Sequence, residues 1–262
     1  MNCRLTRIGF SQRVRLEWLE KTANLVLAGN DEASIHNILR ELLEDKLSVG
    51  GNVRRGNREK VITILMKIWV RPPRDLRPLH REGLELLSHL PRADHIAIHW
   101  GMALAVYPFW GAVAAHVGRL LRLQGAASHA QVRRRVMEQY GQRPTVKDAV
   151  RRVLRSMVDW GVLEDAPTHE ARRKDGTYVP GLSRTIAQVG VIAWLAEAFL
   201  HAHRGGAVAL GTVLDAPSLF PFRLSPVPAA HLVAVSGRLD VVRHGLDHDL
   251  LLLRTESLPS LR

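Results

Sequence analysis

Apolar positions recur at helical spacing through most of the first half of the chain. Over 57–70, Val61, Ile62, Leu65, Met66 and Trp69 fall at i, i+1, i+4, i+5 and i+8, one broad stripe. Ser11 is placed to N-cap a helix over 11–28, whose apolar positions include Val14, Trp18, Leu25 and Val26. Gly29-Asn30 stops it, and Asp31 opens a second helix over 31–47 with Ile35, Ile38, Leu39, Leu42 and Leu43 on its apolar side. Gly50-Gly51-Asn52 breaks the chain before the third helix, and Pro72-Pro73 ends that helix. Two further helices are predicted over 76–90 and 93–106, punctuated by Pro91 and Pro108. Residues 4–10 read as a short strand or an extended arm. Residues 1–107 are thus predicted to be a helical domain, without a fixed-period repeat.

The middle of the chain, 108–182, reads helix, helix, helix, hairpin. Ser128 with Gln131 three residues on is a capping-box pattern opening a helix whose buried face uses Val132, Val136 and Tyr140. Gly141 ends it. Thr145 is the expected N-cap of the next helix, or the helix starts one residue earlier at Pro144. There Val146, Ala149, Val150, Val153, Leu154, Met157 and Val158 form a regular apolar face. Lys147, Arg151 and Arg155, four apart, line the opposite stripe, beside Arg152. Val162-Leu163 begins a strand, Asp175-Gly176 supplies a turn and residues 177–179 return. The hairpin carries Arg172, Arg173 and Lys174.

Residues 183–203 are expected to form one long helix, its apolar run from Ile186 to Leu200 a buried core segment too short to span a membrane. Gly205-Gly206 ends it. A short helix over 208–214, a proline-rich irregular stretch and a helix over 229–236 follow. Residues 239–254 suit two strands around a turn near His244-Gly245. The helix, helix, helix, hairpin order of 108–182 resembles a winged helix-turn-helix, and its return here allows a second, degenerate winged helix within 183–262.

Charge makes the middle segment more specific. The chain carries a formal +12 with 46% hydrophobic residues, so it can bury a core and still favours a polyanionic partner. Between 128 and 160 there are eight cations against three anions, Glu138, Asp148 and Asp159. Arg133 and Arg134 on the first of these helices, and the hairpin cations, are placed to hold phosphate, while Lys147, Arg151 and Arg155 face a groove. Arg54, Arg55 and Arg58, around a glycine-rich turn at a helix start, form a second basic patch that reads equally as a DNA contact or a solvated loop. Aromatic residues make up only 5% of the chain and are not interleaved with the cations, which favours duplex DNA over RNA or single strands.

Residues 118–164 resemble winged helix-turn-helix DNA-binding domains. The wider layout resembles the BrxA accessory proteins of bacterial BREX phage-defence systems. The points of likeness are the helical first half, the basic RRGNREK segment entering a helix, Thr145 opening the recognition helix and Trp160-Gly161-Val162-Leu163 leaving it. The resemblance implies a small DNA-binding protein without chemistry of its own, working beside other subunits of a defence complex.

Nothing in the sequence points to catalysis, a metal or a cofactor. GGNVRRGN lacks the Lys and Ser/Thr of a P-loop, and Ile96 stands where H-E-x-x-H needs its acid, so His95 and His99 read as core or interface histidines. The single cysteine, Cys3, fits a reducing cytoplasm, and no signal-peptide pattern opens the chain. The expectation is a mainly α, cytoplasmic, non-catalytic duplex-DNA binder without a membrane partner. The alternatives are a transcriptional regulator, or a structural adaptor whose winged helix grips a protein.

Overall fold

The computed structural model describes residues 8–46, 56–167, 176–203, 205–244 and 248–254. It is mainly helical, with eleven α-helices among the described residues and three small sheets. Five helices come first: α1 (Leu16–Leu27), α2 (Glu32–Leu42), α3 (Asn57–Trp69), α4 (Arg77–His89) and α5 (His95–Val106). Then follow α6 (Pro108–Gln124), β1 (Ala127–Ser128), α7 (His129–Tyr140), α8 (Pro144–Asp159), β2 (Leu163–Asp165) and β3 (Thr177–Pro180). The last third holds β4 (Arg184–Ile186), α9 (Val189–Ala202), β5 (Ala207–Ala209), α10 (Leu210–Leu214), β6 (Phe222–Leu224), α11 (Ala229–Val235), β7 (Leu239–His244) and β8 (His248–Leu253).

α5 is the axis of the molecule. Every residue of it is buried, so it has no polar face, and α1, α3, α4, α6 and α9 pack around it. Trp100 at its centre meets Trp110, Trp160, Phe220 and Phe222 edge-on, with ring centroids 5.0 to 6.3 Å apart. Trp194 of α9 fills a slot made by two glycines. A Cβ on Gly101 would stand 2.3 Å from its ring, and one on Gly83 would stand 2.9 Å away. Buried apolar side chains from Phe10 to Leu251 form one continuous cluster through all three segments.

Two buried histidines of this core, His95 and His99, are paired. His99 Nδ1 accepts from the Trp69 indole at 3.1 Å, so the proton of the neutral ring sits on Nε2, which donates to Glu20 at 2.8 Å. His95 Nδ1 meets the same carboxylate at 3.0 Å. Both histidines are therefore core residues holding α5 to α1. The hydrogen bond from His99, reinforced by His95, outweighs burial and lowers the Glu20 carboxyl to about 2. Burial lowers the pKa of His99.

The first helix begins at Leu16 rather than at Ser11. Residues ahead of it are diverted onto α8. Val14 N–H donates to Ser156 Oγ at 2.9 Å, and its carbonyl accepts from the Trp160 indole at 3.0 Å. Arg152 donates to the Ser11 carbonyl and Arg13 pairs with Asp159. Backbone groups used across the chain are lost to a local helix, and that moves the start. The second helix ends at Leu42, short of the expected 47.

The long helix expected over 183–203 starts only at Val189. Arg184, Thr185 and Ile186 instead pair in parallel with Phe222, Arg223 and Leu224. Two of the three are β-branched, and Ile186 and Leu224 reach the core. Likewise, the start of the helix expected over 208–214 is strand: Ala207 to Ala209 pair with β8, burying Val208 opposite Leu251. The expected final hairpin is present, registered from Leu239↔Leu253 to His244↔His248.

The two halves of residues 108–254 share an order. In the first, α6, β1, α7, α8, β2 and β3 build a sheet ordered β1-β3-β2. In the second, α9, β5, α10, α11, β7 and β8 build one ordered β5-β8-β7, with β6 and a 3₁₀ turn inserted before α11.

Candidate nucleic-acid interface

Ser128 starts the candidate surface. Its hydroxyl accepts from Gln131 N–H and the Gln131 side chain accepts from Ser128 N–H, both at 3.1 Å, closing the expected capping box. Val132, Val136 and Tyr140 face inward, with the Tyr140 ring edge-on to Phe109 at 5.0 Å. α8 starts at Pro144, the earlier of the two expected positions, with Arg143 extended before it. Val146, Ala149, Val150, Val153, Leu154 and Met157 are buried, as the apolar period requires. Behind the helices, β3 pairs antiparallel with both β1 and β2, and His129 N–H donates to the Gly176 carbonyl at 2.6 Å. One sheet edge is thereby stitched to the start of α7.

This packing turns four cations to one side. Arg134, Lys147 and Arg151 are exposed and Arg133 is half-buried. Arg133, Arg134 and Lys147 line a groove between α7 and α8, together with Gln131, Met137 and Gln142. Arg151 lies 3.6 Å from Asp148, an exposed pair that leaves most of its guanidinium in solvent. His129 sits beside them. Burial lowers its pKa, and Arg133, Arg151 and Lys147 all lower it further, so all three crowd one ring. That ring's Nε2 is shielded and without a partner among the described residues. A concentration of positive charge with little acid nearby is suited to a polyanion.

Other expected contacts are placed differently. Arg155 is not part of an open stripe: its Nη1 meets both oxygens of Asp165 at 3.1 Å, tying α8 to β2. Its side chain is long enough to reach the strand that follows its own helix. Arg152 is half-buried and holds the Ser11 carbonyl on the far side of α8. Arg58 is largely covered, donating to the Glu44 carbonyl at 3.2 Å and lying 3.7 Å from the Glu44 carboxylate, so it braces the end of α2. Arg54, Arg55, Arg172, Arg173 and Lys174 lie outside the described residues.

Gln142 in the groove, and His129 beside its cations, are not singled out in the sequence. His129 is flagged there only by following the capping serine, and Gln142 by following Gly141. Among the described residues, no group of three His, Cys, Asp or Glu gathers where it could hold a metal ion. Nor is any single described helix long and apolar enough to cross a membrane; α5 and α6 pass such a test only together, and they meet at 118°. In comparisons with known proteins, the chain matches no family model, no curated protein and no solved structure.

Proposed function

We propose that residues 108–182 are a winged helix-turn-helix and that the protein binds duplex DNA through it without catalysis. The observation that carries this reading is the convergence of Arg133, Arg134 and Lys147 on one groove between α7 and α8, with Arg151 beside them near His129. The order of elements and the β1-β3-β2 sheet support the fold assignment. In such a unit α8 enters the major groove, and the hairpin after it lies along the backbone. Arg133 and Arg134 hold phosphate, while Lys147 and Arg151, in the N-terminal half of α8, reach toward base edges. The likeness to BrxA suggests the setting, an accessory subunit of a BREX-like phage-defence complex.

The second unit contributes differently. Its order is the same, but α11 carries no Lys or Arg, and Val235 and Val242 are each 52% exposed. That composition favours a protein contact rather than a phosphate one. DNA binding is assigned to the first unit alone.

A mobility shift with duplex DNA at low salt tests the reading. The log of the binding constant should fall linearly with the log of salt, with a slope of about −0.9 for each phosphate neutralised. Lys147→Ala with Arg151→Ala should weaken binding about tenfold or more and flatten that slope by about two contacts. Unchanged binding by this variant removes the α8 assignment. Absence of any shift at low salt, with a salt-insensitive protein complex instead, replaces DNA by a protein partner.

A further inference from the structure

Away from the basic groove, a cavity of about 330 Å³ opens between the two units. α6 forms one wall, α9 and α10 the other, and the end of α7 and residues 216–218 close its sides. Gly111, Ala112 and Ala115 on α6 leave the space that larger side chains would occupy, while Leu104, Pro108 and Phe199 make the surface apolar.

Arg119, Gln139, Tyr140, His203, Thr212 and Ser218 interrupt that surface with polar groups. Ser218 is only 7% exposed, and its Oγ is shielded with no partner among the described residues. Its own carbonyl is fixed by the Trp100 indole at 2.9 Å, so the residue is held in place while its hydroxyl is left unsatisfied. His203, stacked near Phe199 at 5.3 Å, accepts from Gly205 N–H at 2.9 Å through Nδ1, which leaves Nε2–H of the neutral ring as a donor. Arg119 is exposed at the rim and has no acidic partner among the described residues.

We propose that this cavity binds a small organic anion with a flat apolar body, such as an aromatic carboxylate. The body lies against Phe199 and the small residues of α6, where pockets of this size bury most of a ligand. Its charged group meets Arg119 and the His203 N–H. The proposal is independent of the DNA reading, since none of these residues belongs to the basic groove.

The test uses the full chain and two probes, 1-anilinonaphthalene-8-sulfonate followed by fluorescence and salicylate as its competitor. The folded protein should bind the sulfonate saturably at one site, and salicylate should displace it. Ala115→Trp, which fills the space, should abolish the signal. Arg119→Gln, at an exposed position that cannot disturb the core, should raise the dissociation constant about tenfold for the sulfonate. Thermal melts establish that each variant is folded. If Ala115→Trp does not fold, Arg119→Gln decides alone. No saturable binding by the native chain, or binding that both variants leave unchanged, overturns the proposal.

Discussion

Arg155 and Asp165 are joined by one guanidinium nitrogen that lies 3.1 Å from both carboxylate oxygens, ten residues apart in the chain and on two different elements. The pair anchors β2 to α8 and takes out of the basic surface a cation that helical spacing alone puts there. Both side chains are a little under a third exposed. Arg155→Ala should therefore cost about 0.5–1 kcal/mol in urea unfolding, with a matching loss for Asp165→Ala and little additional loss in the double variant. Arg151→Ala should leave stability within about 0.5 kcal/mol and weaken DNA retention instead. If Arg155→Ala lost DNA binding without any loss of stability, the separation of roles would fail.

Trp194 depends on the absence of a side chain at Gly101. A Cβ there would come within 2.3 Å of the indole ring, and Leu195 is 3.1 Å away on the same side. Neither can retreat into solvent, because both are fully buried. Gly101→Ala should destabilise the protein by about 1–3 kcal/mol, despite the better helix propensity of alanine. Equilibrium unfolding monitored by tryptophan fluorescence measures this, and a neutral or stabilising result would mean that α5 and α9 can separate freely.

Glu20 carries an acid dependence of stability. Its carboxyl titrates near 2 when folded and near 4.5 as a free side chain, chiefly because His99 donates to it. A depressed folded value means stability that is present above about pH 4.5 and lost as pH falls toward 2. Burial of neutral His99 acts with the same sign, beginning below about 6.5, because the unfolded chain takes up that proton first. The Glu20 contribution is on the order of 1–2 kcal/mol once its 15% exposed side chain is allowed for. Urea unfolding from pH 6 to 2.5 should show the loss, and Glu20→Gln should be less stable at neutral pH with a shallower slope below pH 4.5. A parallel pH profile for the variant would contradict the assignment.

Arg238 closes the second unit onto the helical half. It donates through Nε to Glu197 at 2.7 Å and through Nη2 to Glu82, so one side chain joins α9 and α4 from the turn before β7. Glu197 is buried to 1% exposure of its side chain, with the His201 ring nitrogen 3.7 Å away on its own helix. Arg238→Ala should cost about 3 kcal/mol, most of it from the carboxylate left behind. Adding Glu197→Gln should recover a large part of that loss in the same unfolding assay. Additive losses would show that the pair does not act as a unit.

Helices with one apolar face were legible because their evidence is local. The stripe of α3, the capping box at Ser128, the regular period of α8 and the final hairpin all appear in the structure close to where spacing puts them. Capping bonds and amphipathic faces are made by residues a few positions apart, so a linear pattern records them. The exposed cations Arg134, Lys147 and Arg151, and half-buried Arg133 beside them, were legible for the same reason: a helix that buries one face must show the other.

What the chain order could not record was decided by partners far away in sequence. Residues 8–15 leave the first helix because Ser156, Trp160 and Arg152 take up their backbone groups. Arg184 to Ile186 become strand because Phe222 to Leu224 lie beside them. Arg155 and Arg58 turn away from solvent because carboxylates stand within reach. The cavity beside Ser218 exists only where α6 and α9 meet. In each case a hydrogen bond, ion pair or packing contact formed on folding outweighs a local preference worth a fraction of a kcal/mol per residue, and that competition is settled only in three dimensions.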